Sequence, residues 1–340
     1  MRRRGITVLV GAVLLVILAW QTTVIPVPYV ALGPGPTVDT LGQSDGKPVI
    51  SVTGAEATKS AGQLRLVTIE VQPDLTLFDA VRGWIAHDYA VVPRELIYPP
   101  DKSEKDVDQE NATAFKESQT SAETAALRKL GYPVQVTVTA IAEGYDAGKS
   151  LATGDVIDSV DGTQVTSVQK LTELVRAQPA DTPRQVSYKH NGETRTATIT
   201  TKKGDDGNPR LGVSVEEKQP HPFQLKIDLD RIGGPSAGLM FTLGIIDTIK
   251  TEDLTGGIII AGTGTIDEEG NVGPIGGVPQ KLVAAKAAKA KVFLTPAANC
   301  EEAAANSQPG LPLIKVATLE DALNALITLR AGQTPPLCSR

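Results

Sequence analysis

The N-terminal stretch constrains this chain more than any other. MRRR is followed by GITVLVGAVLLVILAW, an uncharged run from Gly5 to Trp20, and charge stays absent through Val38. As a helix, an apolar segment of about 20 residues crosses the ~30 Å hydrocarbon core of a bilayer. Arginines on its leading flank keep that end cytoplasmic. The expectation is a transmembrane anchor over residues 1–30, with the lipid bilayer as partner and the rest of the chain extracytoplasmic. A cleaved signal peptide is the alternative, but no small-x-small cleavage site follows the apolar run.

The remaining residues read as an ordinary globular protein. Of 340 residues, 41% are hydrophobic and 21% charged, and that length suggests two or three domains. Aromatics make up only 4%, so the core is built from small aliphatic side chains. The formal net charge is −6, with no long basic run after the N-terminus. That disfavours nucleic acid as a partner. No cofactor or metal motif stands out. The two cysteines, Cys300 and Cys338, could pair in an oxidising compartment and tie down the C-terminal tail at 331–340, or remain two unrelated thiols.

The chain divides by pattern. Residues 31–119 form a mixed α/β membrane-proximal region without assignable chemistry. ALGPGPTVDTLG (Ala31 to Gly42) reads as a turn-rich exit from the anchor, and KPVISV and GQLRLVTIEV as strands. TLFDAVRGWI reads as a helix, VVPRELIYPPDKSEKDVDQEN as a charged loop broken by proline, and ATAFKESQTSAETAALRKLGY as a helix. His87 reads as a structural or surface residue.

From about 120 to 203 the order changes. PVQVTVTAI alternates as a strand, GDVIDSVDGTQV is a strand with an Asp-Gly turn, and SVQKLTELVRA is an amphipathic helix. RQVSYKHNGETRTATITTK is a hairpin closed at Asn191–Gly192, which leaves His190 exposed. These segments resemble a PDZ domain. The resemblance implies a groove that takes an extended peptide by strand addition. It places the groove between the strand after LGYPV and the helix at Val168–Ala177, with Leu130, Gly131 and Tyr132 in the carboxylate-binding loop. Residues 204–330 then alternate strand and helix as an α/β domain.

The chemistry centres on DRIGGPSAGLMF. Ser236 follows Pro235, which suits a first helical position. Gly233 and Gly234 let the chain turn and a substrate backbone approach. Together with Ala237, they put backbone N–H groups where an oxyanion could form. A phosphate would suit the same turn, as would a plain small-residue helix start. A serine nucleophile needs a base. His221 sits at the far end of the strand leading to Asp230, about 30 Å away over nine extended residues. Asp230 itself has no assigned role. GPIGGVPQKLVAAKAAKAK offers Lys281, Lys286, Lys289 and Lys291. Only Lys281 faces Ala284, Ala285 and Ala288 at helical spacing, where burial would lower its pKa.

GGPSAG followed by GTGTIDEEGNVGPIGGVPQKLVAA resembles the proteolytic domain of the Lon family. That resemblance implies a Ser-Lys dyad, with Ser236 as nucleophile, Lys281 as general base and Thr263 holding the lysine. It also implies protein or peptide substrates and homo-oligomeric rings. No G-x-x-x-x-G-K-[ST] occurs in the chain, so the family's ATPase module is missing. The whole arrangement resembles the membrane-anchored, PDZ-containing Lon-like proteases of bacteria. A Ser-Lys signal peptidase, a PDZ scaffold with a retired protease fold, and a phosphate binder are the rival readings.

Overall fold

A computed structural model describes residues 2–55, 60–86, 88–229, 232–250 and 253–339. Its residues form two compact units, one of 1–126 with 223–340 and the other of 127–222.

The first helix, α1 (Arg2–Thr22), forms where the apolar run lies. Among the described residues, however, no helix is long and apolar enough to cross a membrane. The physical reason is length. The uncharged part of the helix begins at Gly5 and its last turn is already Gln21–Thr22. At 1.5 Å per residue, the Gly5–Trp20 run spans only about 24 Å, short of the ~30 Å hydrocarbon core. The charge-free residues up to Val38 do not extend it, because the chain becomes a strand at Tyr29. The expected single-pass anchor is therefore corrected, and with it the cytoplasmic N-terminus and extracytoplasmic catalytic domain.

The larger unit is built on a six-stranded sheet. Its order is Leu313–Val316, Val292–Pro296, Ile259–Gly262, Gln63–Gln72, Tyr29–Asp39, Ala90–Pro93. The first four strands are mutually parallel, and the last two join antiparallel. Half of this sheet thus comes from the region to which the sequence assigned no role. Ala31–Gly42, expected as a turn, contributes most of the Tyr29–Asp39 strand. A register shift between Pro34 and Thr37 accommodates the prolines, as a bulge does by freeing residues from the ladder. Gly35 is required there, since a Cβ would lie 2.4 Å from Thr68 Oγ1.

Helices α2 (Leu77–Ile85) and α3 (Glu104–Lys129) follow. The latter starts inside the expected charged loop, because Ser103 and Asp106 cap each other reciprocally. Phe115, Ser118, Ala122, Ala125 and Ala126 form its buried stripe, at the 3.6-residue period of a packed face. The inserted unit carries α4 (Val168–Arg176). After it, α5 (Gly238–Ile249) is buried from Gly238 to Asp247, as a helix apolar all round must be. Phe241 of α5 meets Phe115 of α3 edge-on at 5.8 Å. The parallel strands alternate with α6 (Val278–Ala287), α7 (Cys300–Ala305) and α8 (Leu319–Arg330). Cys300 and Cys338 are joined as a disulfide, Cα–Cα 5.1 Å. The tail runs beside Leu313–Val316, with Cys338 N–H donating to Leu313 O at 2.8 Å.

The 127–222 unit is an antiparallel sheet in the order Glu193–Thr200, Pro183–His190, Val156–Val160, Gln135–Ile141, Val213–Lys218. Leu171 and Val175 of α4 pack into its core with Val136, Val138 and Ile157.

Candidate active site

Ser236 lies in a tight turn ahead of α5. The helix begins at Gly238 with Ala237 as its N-cap, so Pro235 precedes the first helical residue instead of occupying it. Gly234 adopts φ +81°, a conformation costly for other residues. Its N–H donates to Asn111 O at 2.9 Å. Ser118 Oγ donates to Pro235 O at 2.9 Å. Two residues of α3 therefore fix the serine turn. Sequence reasoning missed both, and the only available signal was the buried stripe that includes Ser118.

The Ser236 carbonyl accepts from Gly264 N–H at 3.0 Å and from Thr263 Oγ1 at 3.0 Å. Both donors sit just past the Ile259–Gly262 strand. Lys281 projects from the first turn of α6, whose N-cap Gly277 is left-handed at φ +69°. The lysine Nζ donates to Thr263 Oγ1 at 3.2 Å. One hydroxyl thus accepts from the amine and donates to the serine's own carbonyl.

Lys281 is only 3% exposed. Burial pushes its pKa down to about 8, partly offset by the Glu302 carboxylate. Lys286, Lys289 and Lys291 are exposed. Ala284 and Ala285 are buried as the helical spacing predicts. Asn299 clamps the turn before α6, accepting from Ile275 N–H at 2.9 Å and donating to Ile275 O at 3.0 Å. Asn299, ending the 3-10 turn Ala297–Asn299, and Glu302 of α7 carried no sequence signal.

The two described histidines, His190 and His221, both belong to the 127–222 unit. The His221 Nδ1 meets Gln219 O at 2.7 Å. His190, expected to be exposed, is half-buried and pairs with the buried Asp155 at 2.7 Å. His87 and Asp230 lie outside the described residues. Among the described residues, no three His, Cys, Asp or Glu side chains gather as metal ligands would.

The cleft found in this unit is not where the peptide groove was expected. A cleft of about 330 Å³ lies between α4 and the Val213–Lys218 strand. Leu171 and Val175 line one wall, and Leu211, Gly212 and Val213 the other. This strand ends the sheet, pairing with Gln135–Ile141 on one side only. The strand after LGYPV is therefore an interior strand. Leu130, Gly131 and Tyr132 do not line the cleft; Tyr132 bonds through its carbonyl to Gln219 Nε2 at 2.7 Å. The signal that could have found it is RLGV at Arg210–Val213, a glycine with φ +79° entering a strand.

Residues 107–201 match the family model of the PDZ domain. Residues 231–328 match that of the Lon protease (S16) C-terminal proteolytic domain. A Lon protease of Koribacter versatilis is 32% identical over 109 residues, which are 32% of this chain and 13% of that protein. Lon protease 2 of Bacillus subtilis is 35% identical over 96 residues, 28% of this chain and 17% of that protein. The matched segment therefore spans less than a fifth of either relative. Among solved structures, the PDZ domain of the SdrC-like protein from Listeria monocytogenes matches at 23% identity and TM-score 0.23, covering 24% of this chain and 85% of that one. Its counterpart from Listeria innocua matches at 24% identity and TM-score 0.24, covering 26% and 99%. The chain thus carries a PDZ domain and a Lon-type C-terminal proteolytic domain, which together support a protease-type function.

Proposed function

We propose that the chain is an ATP-independent serine endopeptidase in which Ser236 is the nucleophile and Lys281 the general base. The observation that carries this reading is the buried Lys281 amine, bonded to the Thr263 hydroxyl that in turn donates to the Ser236 carbonyl. A protonated lysine cannot accept a proton, so a base must be neutral near working pH. With a pKa of about 8, roughly a tenth of the lysine is neutral at pH 7. Neutral Lys281 takes the Ser236 proton, and the alkoxide attacks a peptide carbonyl. Backbone N–H groups of the serine turn hold the oxyanion, but not that of Gly234, which is donated to Asn111 O. Lys281 then protonates the leaving amine, and water hydrolyses the acyl-enzyme. The substrates we infer are exposed or unfolded segments, in keeping with a sequence that holds no G-x-x-x-x-G-K-[ST] motif. The cleft beside α4 receives an extended peptide from a substrate or partner.

The test is digestion of β-casein by wild type, Ser236→Ala and Lys281→Ala. Both substitutions are expected to cut the rate by at least about 10²-fold, and the wild-type rate is expected to rise with pH through about 8. Undiminished cleavage by either variant overturns the dyad. An inert wild type favours the scaffold reading.

A further inference from the structure

Main-chain donors are scarce in the serine turn. Pro235 has no N–H, and that of Gly234 is donated to Asn111 O. The N–H groups of Ser236 and Ala237 remain. Neither meets an acceptor among the described residues, as expected of donors at the start of a helix. Holding an oxyanion beside Ser236 therefore depends on where these two N–H groups point.

Peptide planarity turns that into a question about carbonyls. In a trans peptide the C=O and the following N–H point in opposite directions. Fixing Pro235 O aims the Ser236 N–H, and fixing Ser236 O aims the Ala237 N–H. Thr263 and Gly264 hold Ser236 O, at 3.0 Å each. Pro235 O is held by Ser118 Oγ at 2.9 Å, from a helix residue 117 positions earlier in the chain.

Ser118 behaves unlike its neighbours. A serine or threonine inside a helix commonly turns its hydroxyl back to the carbonyl four residues before. Thr113 and Thr120 of α3 do so, donating to Gln109 O at 2.9 Å and Lys116 O at 3.2 Å. Ser118 lies on the buried stripe, 6% exposed, and donates across to the serine turn. Packing keeps it there. A Cβ on Gly238 would lie 3.0 Å from Ser118 Oγ. Phe115, one turn before, rests on Phe241, and Ala122 O, one turn after, accepts from Thr242 Oγ1 at 3.3 Å. α5 is thus locked to α3 on both sides of the hydroxyl. A hydrogen bond accepted by a carbonyl also polarises its peptide and strengthens the attached N–H as a donor.

We propose that Ser118 is a positioning residue for the oxyanion: it holds the Pro235 carbonyl against α3 and so turns the Ser236 N–H toward the scissile carbonyl oxygen. This rests on the reading of Ser236 as nucleophile and Lys281 as base. Ser118 acts through the Pro235–Ser236 peptide and touches no reacting atom. Its effect belongs to the transition state, because charge gathers on the scissile oxygen only as the alkoxide adds.

The test is steady-state kinetics of the full chain, wild type and Ser118→Ala, on a fluorogenic peptide copied from a β-casein cleavage site. Ser118→Ala should lower kcat about tenfold or more and leave KM within about twofold. The alkaline rise near pH 8 should stay in place, since Lys281 is untouched. A boronic acid of the same peptide gives the discriminating readout. Its boron bonds to the Ser236 oxygen and sets a B–O oxygen where the oxyanion forms. Ser118→Ala should bind this boronate about tenfold or more weakly than wild type, and the corresponding unreactive peptide amide equally well. Unchanged kcat in Ser118→Ala, beside an inert Ser236→Ala, overturns the positioning role and leaves the dyad standing. Equal weakening of boronate and amide also overturns it, since that is a general loosening of the site. So does a shifted pH profile, which places the effect on the lysine. Cleavage that survives Ser236→Ala removes the dyad and the proposal with it.

Discussion

The two units of this protein are built on sheets of different kinds, one wholly antiparallel and one mostly parallel. The 127–222 unit is contiguous, wholly antiparallel, and ends its sheet with the strand that borders its cleft. The other unit is discontinuous, and Ile259 lies beside Gln63 in a parallel pair. Local antiparallel pairing closes with short connections, whereas parallel pairing across an insertion needs the rest of the fold in place. One sheet is therefore complete within one stretch of chain. The other exists only when both outer stretches have met.

Excision gives the largest expected effect. Residues 127–222 alone should fold, with dispersed amide NMR signals and a cooperative melt. Residues 223–340 alone should not, because the Tyr29–Asp39, Gln63–Gln72 and Ala90–Pro93 strands are missing. A cooperative melt of 223–340 would break the contrast. Next is the disulfide, which lies wholly in the discontinuous unit and spans 38 residues. Chain entropy assigns a loop of that size about 3–4 kcal/mol. Cys338→Ser should lower that unit's melting transition and leave the 127–222 transition in place.

Lys281→Met should do the reverse. Lowering a lysine from 10.5 to about 8 costs the fold about 3 kcal/mol wherever the amine is protonated. Between those values the unfolded chain binds more protons than the folded one, so wild-type stability rises with pH there. The variant should therefore be the more stable protein below pH 8. Its advantage should shrink as pH climbs from about 8 towards 10.5, as urea denaturation at several pH values would reveal; a pH-independent difference would contradict the buried amine. The smallest effect is at Glu302, whose charge pulls the lysine upward. Glu302→Gln should move the alkaline rise in β-casein cleavage to lower pH, with cleft-dependent peptide binding unaffected.

Legibility followed the same division. α4 and the hairpin at Asn191–Gly192 were readable because amphipathic spacing and turn chemistry are local. The cleft was misplaced by one strand, since RLGV lies past the point where the pattern was taken to end. In the other unit α5, α6 and α8 were readable, but Ala31–Gly42 was not. Glycine and proline there signal a turn locally, and only the neighbouring Thr68 shows that they serve a bulge within a strand. The apolar run at Gly5–Trp20 misled in the opposite way: its composition suits a membrane, and its helical length does not.

The sequence by itself determined which lysine could be kept dry. Positions i+3 and i+4 from Lys281 are alanines within α6, and helix geometry alone puts them on its face, whereas Ala288 at i+7 falls just past the helix end. It also determined the glycines that let Ser236 sit in a tight turn. Only the tertiary structure decided that the amine meets Thr263, that Thr263 reaches the serine's carbonyl, and that Asn111 and Ser118 of a distant helix hold the turn. Periodicity fixes the direction in which a side chain leaves its own element, and the partner it meets depends on strand order across the whole sheet.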